Sequence, residues 1–139
     1  MGVLEQVGIL NCGVRNECDP AYALLFDSVN KENAAVRLGA IQGLGLAYAG
    51  TAKEDVAELL CPILMDESAG PDVLGFAALS LGLVFVGTGH AGCAEALCQA
   101  LMTRPESDLE SPLGRLTFLG LGLLFLRKQV THNNNVIPV

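Results

Sequence analysis

Basic side chains are scarce in this sequence. Eight lysines and arginines stand against fifteen aspartates and glutamates, giving a formal net charge of −7. Lys53, Arg104, Arg115, Arg127 and Lys128 are scattered, and no aromatic residues interleave them. Binding a phosphate backbone needs a clustered positive face, so nucleic acid is not an expected partner. Histidine is scarcer still. With only His90 and His132, and five cysteines (Cys12, Cys18, Cys61, Cys93, Cys98) that nowhere form C-x-x-C, no zinc-ligand spacing exists. No metal or other cofactor is expected, and the thiols read as small buried hydrophobes in a reducing compartment. A basic segment leading into an apolar stretch is missing at the start, so no signal peptide is expected. Long apolar runs are missing too. The uncharged stretch 73–88 and the apolar stretch 116–126 both fall short of the ~20 residues that cross a bilayer; buried core helices fit them better.

What remains is a chain of 139 residues, 51% hydrophobic and only 17% charged, long enough for one domain with a real core. Its main feature is self-similarity. The run Gly45-Leu46-Ala47-Tyr48-Ala49-Gly50-Thr51 returns as Gly82-Leu83-Val84-Phe85-Val86-Gly87-Thr88, an offset of 37 residues. The match continues past the turn: Ala57-Glu58 with Ala94-Glu95, Leu60-Cys61 with Leu97-Cys98, Leu64-Met65 with Leu101-Met102. Another copy stands at Gly122-Leu123-Leu124-Phe125, and a fainter one at Gly8-Ile9-Leu10-Asn11-Cys12-Gly13. Three to four repeats result, at approximately 2–30, 34–66, 71–104 and 111–129, followed by an asparagine-rich stretch at 130–139 that reads as an irregular tail.

Each repeat reads as two helices. Asp19-Pro20 and Ser111-Pro112 are N-cap and first-turn proline pairs. Thr51-x-x-Glu54 reads as a capping box opening a helix from about Lys53 to Met65, with Asp55 well placed in its first turn. Gly50 and Gly87 end the preceding helices, and Pro62 conflicts with the turn it occupies. The first helix of a repeat is crowded with small residues (Gly39, Ala40, Gly43, Gly45 and Ala47). Glycine costs about 1 kcal/mol against alanine in a helix interior, so only close packing of neighbouring backbones could offset so many. The second helices keep a polar face, with Lys53, Glu54 and Glu58 in one copy and Glu95 and Gln99 in the next. The fold expected is all-α: a solenoid or toroid segment of helix hairpins, inner Gly/Ala-rich helices beside outer amphipathic ones.

Gly87-Thr88-Gly89-His90-Ala91-Gly92 is a literal G-x-G-x-x-G, as in dinucleotide folds. The equivalent turn one repeat earlier, from Gly50 to Asp55, lacks the later glycines, so a nucleotide site is not expected. His90 reads as a solvated turn residue. Ser80 and Thr117 read as hydroxyls bonding to a carbonyl rather than nucleophiles. No acid pair or Cys–His pair converges, so no enzyme is expected.

The run from Leu38 to Thr51, L-G-A-I-Q-G-L-G-L-A-Y-A-G-T, resembles the proteasome/cyclosome repeat, and the stretch Val7–Ala21 resembles the branch of that family formed by the smaller of the two large non-ATPase subunits of the proteasome base. The resemblance covers residues 2–129 and implies a piece of a far longer toroid. It implies a cytoplasmic and nuclear, non-catalytic scaffold, with other base subunits as partners and with ubiquitin and the ubiquitin-like domains of shuttle receptors recruited on outer helices through acidic side chains. Carried onto this chain, the partner-binding residues are Glu54, Asp55, Glu58, Glu95 and Gln99. The family pattern has acids where this chain has Gly92, Gln99 and Thr103. The alternative is an array segment with no ligand site of its own, and apolar stacking faces left bare at its ends favour self-association.

Overall fold

A computed structural model describes residues 2–10, 12 and 20–127. Among them every regular element is helical: α1 (Val3–Leu10), α2 (Pro20–Phe26), α3 (Ala34–Ala47), α4 (Glu54–Met65), α5 (Pro71–Val84), α6 (Ala91–Thr103), α7 (Glu106–Glu110) and α8 (Leu116–Leu124). The expected irregular tail at 130–139 and Asp19 of the Asp19-Pro20 pair lie outside the described residues.

The helices sort into two layers. In the inner layer α1 packs on α3, α3 on α5 and α5 on α8; outside, α4 lies against α5 and α6, with α2 on α3 and α6 on α8. Leu25, Ile41, Leu44, Val56, Leu60, Leu64, Leu74, Leu81, Phe85, Leu97 and Leu124 are fully buried between them. The central inner helices α3 and α5 are apolar nearly all round because neighbours enclose them on most sides, while α4 and α6 turn one face outward.

Small residues set the inner spacing. A methyl group added to Gly82 would lie 2.5 Å from the carbonyl oxygen of Gly120, and one on Gly45 would lie 2.6 Å from Ser80 Oγ. One on Gly8 would strike the backbone of Gly43. Three successive interfaces therefore repeat one rung, a glycine of one inner helix against a small residue of the next. At the middle rung Ser80 stands where the others have glycine, and its buried hydroxyl donates to Ile41 O at 2.9 Å. The serine does bond a carbonyl, but across the interface rather than within its own helix. Thr117 differs: its Oγ1 is buried with no hydrogen-bond partner among the described residues.

The turns are built to one plan. Gly50 N–H donates to Leu83 O and Ala52 N–H to Val84 O, both at 2.9 Å; Gly87 N–H donates to Leu123 O at 3.0 Å and Gly89 N–H to Leu124 O at 2.9 Å. Each turn thus supplies donors to the last carbonyls of the next inner helix, groups that a helix end leaves unpaired. Gly50 (φ 75°), Gly87 (φ 72°), Gly89 (φ 60°) and Ala52 (φ 53°) all take the left-handed backbone this requires.

That geometry displaces the expected capping box. Because Ala52 remains committed to Val84, α4 starts only at Glu54, its N-cap is Lys53, and no side chain caps it. Thr51 Oγ1 is buried without a partner among the described residues. Ser111 is likewise not the N-cap of a helix beginning at Pro112. It caps a turn, accepting from Gly114 N–H at 2.9 Å, and α8 follows at Leu116. Asn33 caps α3 instead, its Oδ1 accepting from Ala35 N–H at 3.0 Å and Val36 N–H at 3.2 Å. Despite Pro62, α4 continues to Met65.

Candidate protein-interaction surface

The acidic residues singled out in the sequence lie on two neighbouring outer helices. Glu54, Asp55 and Glu58 are exposed on α4, Glu95 and Gln99 on α6. Carboxylates in the first turn of α4 are favoured there by the unpaired N–H groups of the helix start, so their position has a local cause as well as any outward role.

Their surroundings differ. Glu54 Oε1 lies 2.9 Å from His90 Nε2. Asp55 Oδ2 lies 3.1 Å from Lys53 Nζ, and that ammonium also sits over the rings of Tyr22 and Tyr48, at 5.1 and 5.5 Å from their centroids. Among the described residues no ion pair is found for Glu58 or Glu95. Glu58 instead edges a cleft of about 340 Å³ lined also by Asn30, Arg37, Leu59, Pro62, Ile63 and Asp66. Two of these lining residues, Arg37 and Asp66, approach to 3.9 Å. Asp66 is held below the usual carboxylate range, first by the Ser68 hydroxyl and then by the Ser68 backbone N–H, with smaller help from Arg37 and Arg104.

The outer helices α4 and α6 also carry exposed methionines in their last turns at the same 37-residue offset, Met65 at 36% and Met102 at 86% exposure. The sequence aligned these two residues without marking them as surface. Repetition is visible in letters, whereas the side of a helix left uncovered depends on which neighbours it has. Gly92 and Thr103 are exposed on α6 beside Glu95 and Gln99, so this helix offers one carboxylate where α4 offers three.

His90 is not a solvated turn residue. It is the N-cap of α6, with Nδ1 accepting from Cys93 N–H at 3.2 Å. Its ring packs 4.6 Å from that of Phe85. Since Nδ1 accepts, Nε2 carries the proton and donates to Glu54, so one imidazole ties the starts of α4 and α6 together. His90→Ala should lower stability by about 1 kcal/mol through loss of the cap; unchanged urea denaturation midpoints would refute the capping role.

The G-x-G-x-x-G run resolves into this same turn. Gly87 and Gly89 are the left-handed donors to α8, and Gly92 lies exposed in the first turn of α6. The run before it is helix α5, not a strand, so the glycines serve backbone packing rather than a phosphate. Among the described residues no group of three or more histidine, cysteine or acidic side chains could hold a metal, and no helix is long and apolar enough to cross a membrane.

Comparison with known proteins agrees with the two-layer architecture. Residues 39–72 match the proteasome/cyclosome repeat. The chain is 42% identical over 128 residues to the 26S proteasome non-ATPase regulatory subunit 2 of Dictyostelium discoideum, 50% identical to its homolog B in Arabidopsis thaliana, and 44% identical to the 26S proteasome regulatory subunit rpn1 of Schizosaccharomyces pombe. Each match takes in 92% of this chain and 14% of the relative's length. The helix pairs, the glycine rungs and these similarities together make the chain a member of the proteasome/cyclosome repeat family.

Proposed function

We propose that this chain is a non-catalytic scaffold segment of the regulatory base of the 26S proteasome, and that its outer helices take part in recruiting ubiquitin or the ubiquitin-like domains of shuttle receptors. The observation that carries this reading is the exposure of acidic side chains and a methionine on two adjacent outer helices, three carboxylates with Met65 on α4 and one with Met102 on α6. A surface of that kind complements a small domain presenting an apolar patch within a basic rim: carboxylates steer and orient it, and methionine adapts its shape to an apolar partner. Glu58 and Glu95 are the central residues in this reading, with Glu54, Asp55 and Gln99 around them. The repeat boundaries at 2–30, 34–66, 71–104 and 111–129, the placement in cytoplasm and nucleus, and contact with other base subunits belong to the same proposal.

Titrating isotope-labelled ubiquitin, and separately a ubiquitin-like domain, with this chain tests it. Amide shifts confined to the apolar patch and basic rim are expected. Glu58→Lys and Glu95→Lys should each weaken binding by about five- to tenfold, about 1 kcal/mol for a charge reversed at an interface rim. An absence of shifts from a chain that remains helical would sink the reading.

A second reading is a purely structural array segment without a ligand of its own. It is favoured by the local pairing of Glu54 and Asp55, and by the uncharged Gly92, Gln99 and Thr103 on α6. It expects both charge reversals to be silent in binding. Under either reading the apolar face of α8 matters. Phe118 and Leu119 on the helix and Phe125 and Leu126 just past its end are exposed, and nothing among the described residues lies within 4 Å of a methyl added to Gly122. Concentration-dependent self-association of the chain follows.

A further inference from the structure

His90 meets two outer helices through its two ring nitrogens. Nδ1 accepts from Cys93 N–H at 3.2 Å, in the first turn of α6. Nε2 lies 2.9 Å from Glu54 Oε1, in the first turn of α4. The two contacts respond in opposite ways to a proton. Only the neutral ring offers a lone pair at Nδ1, whereas the charged ring carries a proton on both nitrogens. No other acceptor for Cys93 N–H is found among the described residues, and a helix start leaves such a group unpaired unless a cap meets it. Gly92 keeps this side of the ring open, since a methyl on it would lie 3.3 Å from His90 Cε1 and 3.6 Å from Nδ1. The imidazole is 27% exposed, so water can bring the second proton.

We propose that His90 is a proton-operated switch at the junction of α4 and α6: neutral, it caps α6; protonated, it releases that cap and holds Glu54 as an ion pair. A proton taken up at Nδ1 sets one N–H against another. Two donors cannot share a hydrogen bond, so the first turn of α6 loses its side-chain acceptor and opens to water. At Nε2 the proton stays where it was. Its bond to Glu54 now carries a full charge on each partner, which strengthens it.

The groups around the ring divide in the same way. On α4 the Glu54 carboxylate favours the charged ring, and its neighbours Lys53 and Asp55 are paired with each other at 3.1 Å. Past the end of α5 the Phe85 ring packs 4.6 Å from the imidazole, uncharged and within reach of a cation–π contact. On α6 the positive end of the helix dipole opposes a cation. The titratable groups there are the buried Cys93 thiol and the exposed Glu95. Helix α8, whose Leu124 carbonyl accepts from Gly89 N–H, carries no titratable side chain, and Arg127 follows beyond it. Proton uptake therefore trades one helix contact for the other instead of losing both. The residue equivalent to His90 one repeat earlier is Lys53, which gives α4 no side-chain cap, so the switch belongs to this turn and not to the repeat. It does not depend on what the outer helices bind.

The test follows the folded chain by NMR from about pH 8 to about pH 5, the range in which histidine changes charge. It reads the His90 ring resonances and the exchange of the Cys93 amide with water. The resonances absent from His90→Asn identify the ring and separate it from His132. Relative to an unstructured amide at the same pH, Cys93 exchange should accelerate about fivefold as the ring takes up its proton, the equivalent of one lost cap. The amide of Leu97, further along α6, should keep its protection. Asparagine caps without titrating, so His90→Asn should show no step at Cys93. Glu54→Gln removes the carboxylate that favours the charged ring, so the ring titration and the Cys93 step should move together to lower pH. The proposal is overturned if the ring takes up no proton in this range, if Cys93 keeps its protection while it does, if Leu97 loses protection in the same step, or if the step persists in His90→Asn or stays in place in Glu54→Gln.

Discussion

Gly82→Ala is expected to destabilise the chain by about 1–3 kcal/mol, the usual cost of forcing extra volume into a packed interior. The same exchange at Gly122 is expected to stabilise it by up to about 1 kcal/mol. Both residues lie in inner helices and at corresponding places in the repeated pattern, so helix propensity alone would favour alanine at both. Packing separates them. At Gly82 the new methyl would stand 2.5 Å from Gly120 O and 2.8 Å from its Cα. Those are backbone atoms, which cannot swing aside as a side chain does. Either α5 and α8 move apart, or a turn of helix distorts. Separation would also pull Gly87 and Gly89 from the carbonyls of Leu123 and Leu124, so the damage would reach the turn before α6. At Gly122 the methyl meets nothing within 4 Å among the described residues. Urea denaturation of the two variants measures the contrast directly. Equal effects, of either sign, would show that the rung is not what sets the spacing of the inner helices.

The rung also indicates how much of the architecture was legible in the sequence. Crowding of glycine and alanine in the stretch 34–49 demanded a compensating close approach, and the 37-residue offset pointed to a stack of similar units. The inner and outer layers follow from those two observations, and the structure has them. The capping details were less legible. Thr51-x-x-Glu54 satisfies a local rule, but the carbonyls at the end of α5 compete for the same stretch of backbone and hold Ala52. Ser111-Pro112 also satisfies a local rule, but the last copy stands 40 rather than 37 residues after the one before it, and the longer connection folds into α7 and a turn ahead of α8. The acidic positions on α4 and α6 could be seen as outward because they interrupt an apolar pattern. Their partners could not. The bond between Glu54 and His90 joins residues 36 apart in sequence and arises only when two repeats are placed side by side.

Arg104 is the clearest case of a residue whose role no local pattern gives, and Arg104→Ala is expected to cost about 2–4 kcal/mol, combining lost bonds from a charged donor with an unfilled buried stem. In the sequence it is one of a few scattered basic residues, and the corresponding position one repeat earlier is Glu67. In the structure it is only 8% exposed. One guanidinium nitrogen donates to Ala69 O at 2.6 Å and another to Asp66 O. The charge faces Asp108 at 3.8 Å. The side chain therefore crosses from the end of α6 to hold both carbonyls of the loop joining α4 to α5, and its own positive charge is met by the start of α7. Removing it would leave the buried Ala69 carbonyl without a donor and the Asp66 carbonyl with only the Ala69 N–H, at 3.1 Å. Arg104→Lys should recover only part of the loss, since one ammonium cannot reproduce the planar fork that reaches two carbonyls. Asp108→Asn should cost less than about 1 kcal/mol, because that carboxylate is partly exposed and its contact is long. The order expected from urea denaturation is therefore alanine worst, lysine intermediate, and the Asp108 variant near the unaltered chain. If Asp108→Asn proved as damaging as Arg104→Ala, the ion pair rather than the loop carbonyls would be what Arg104 serves.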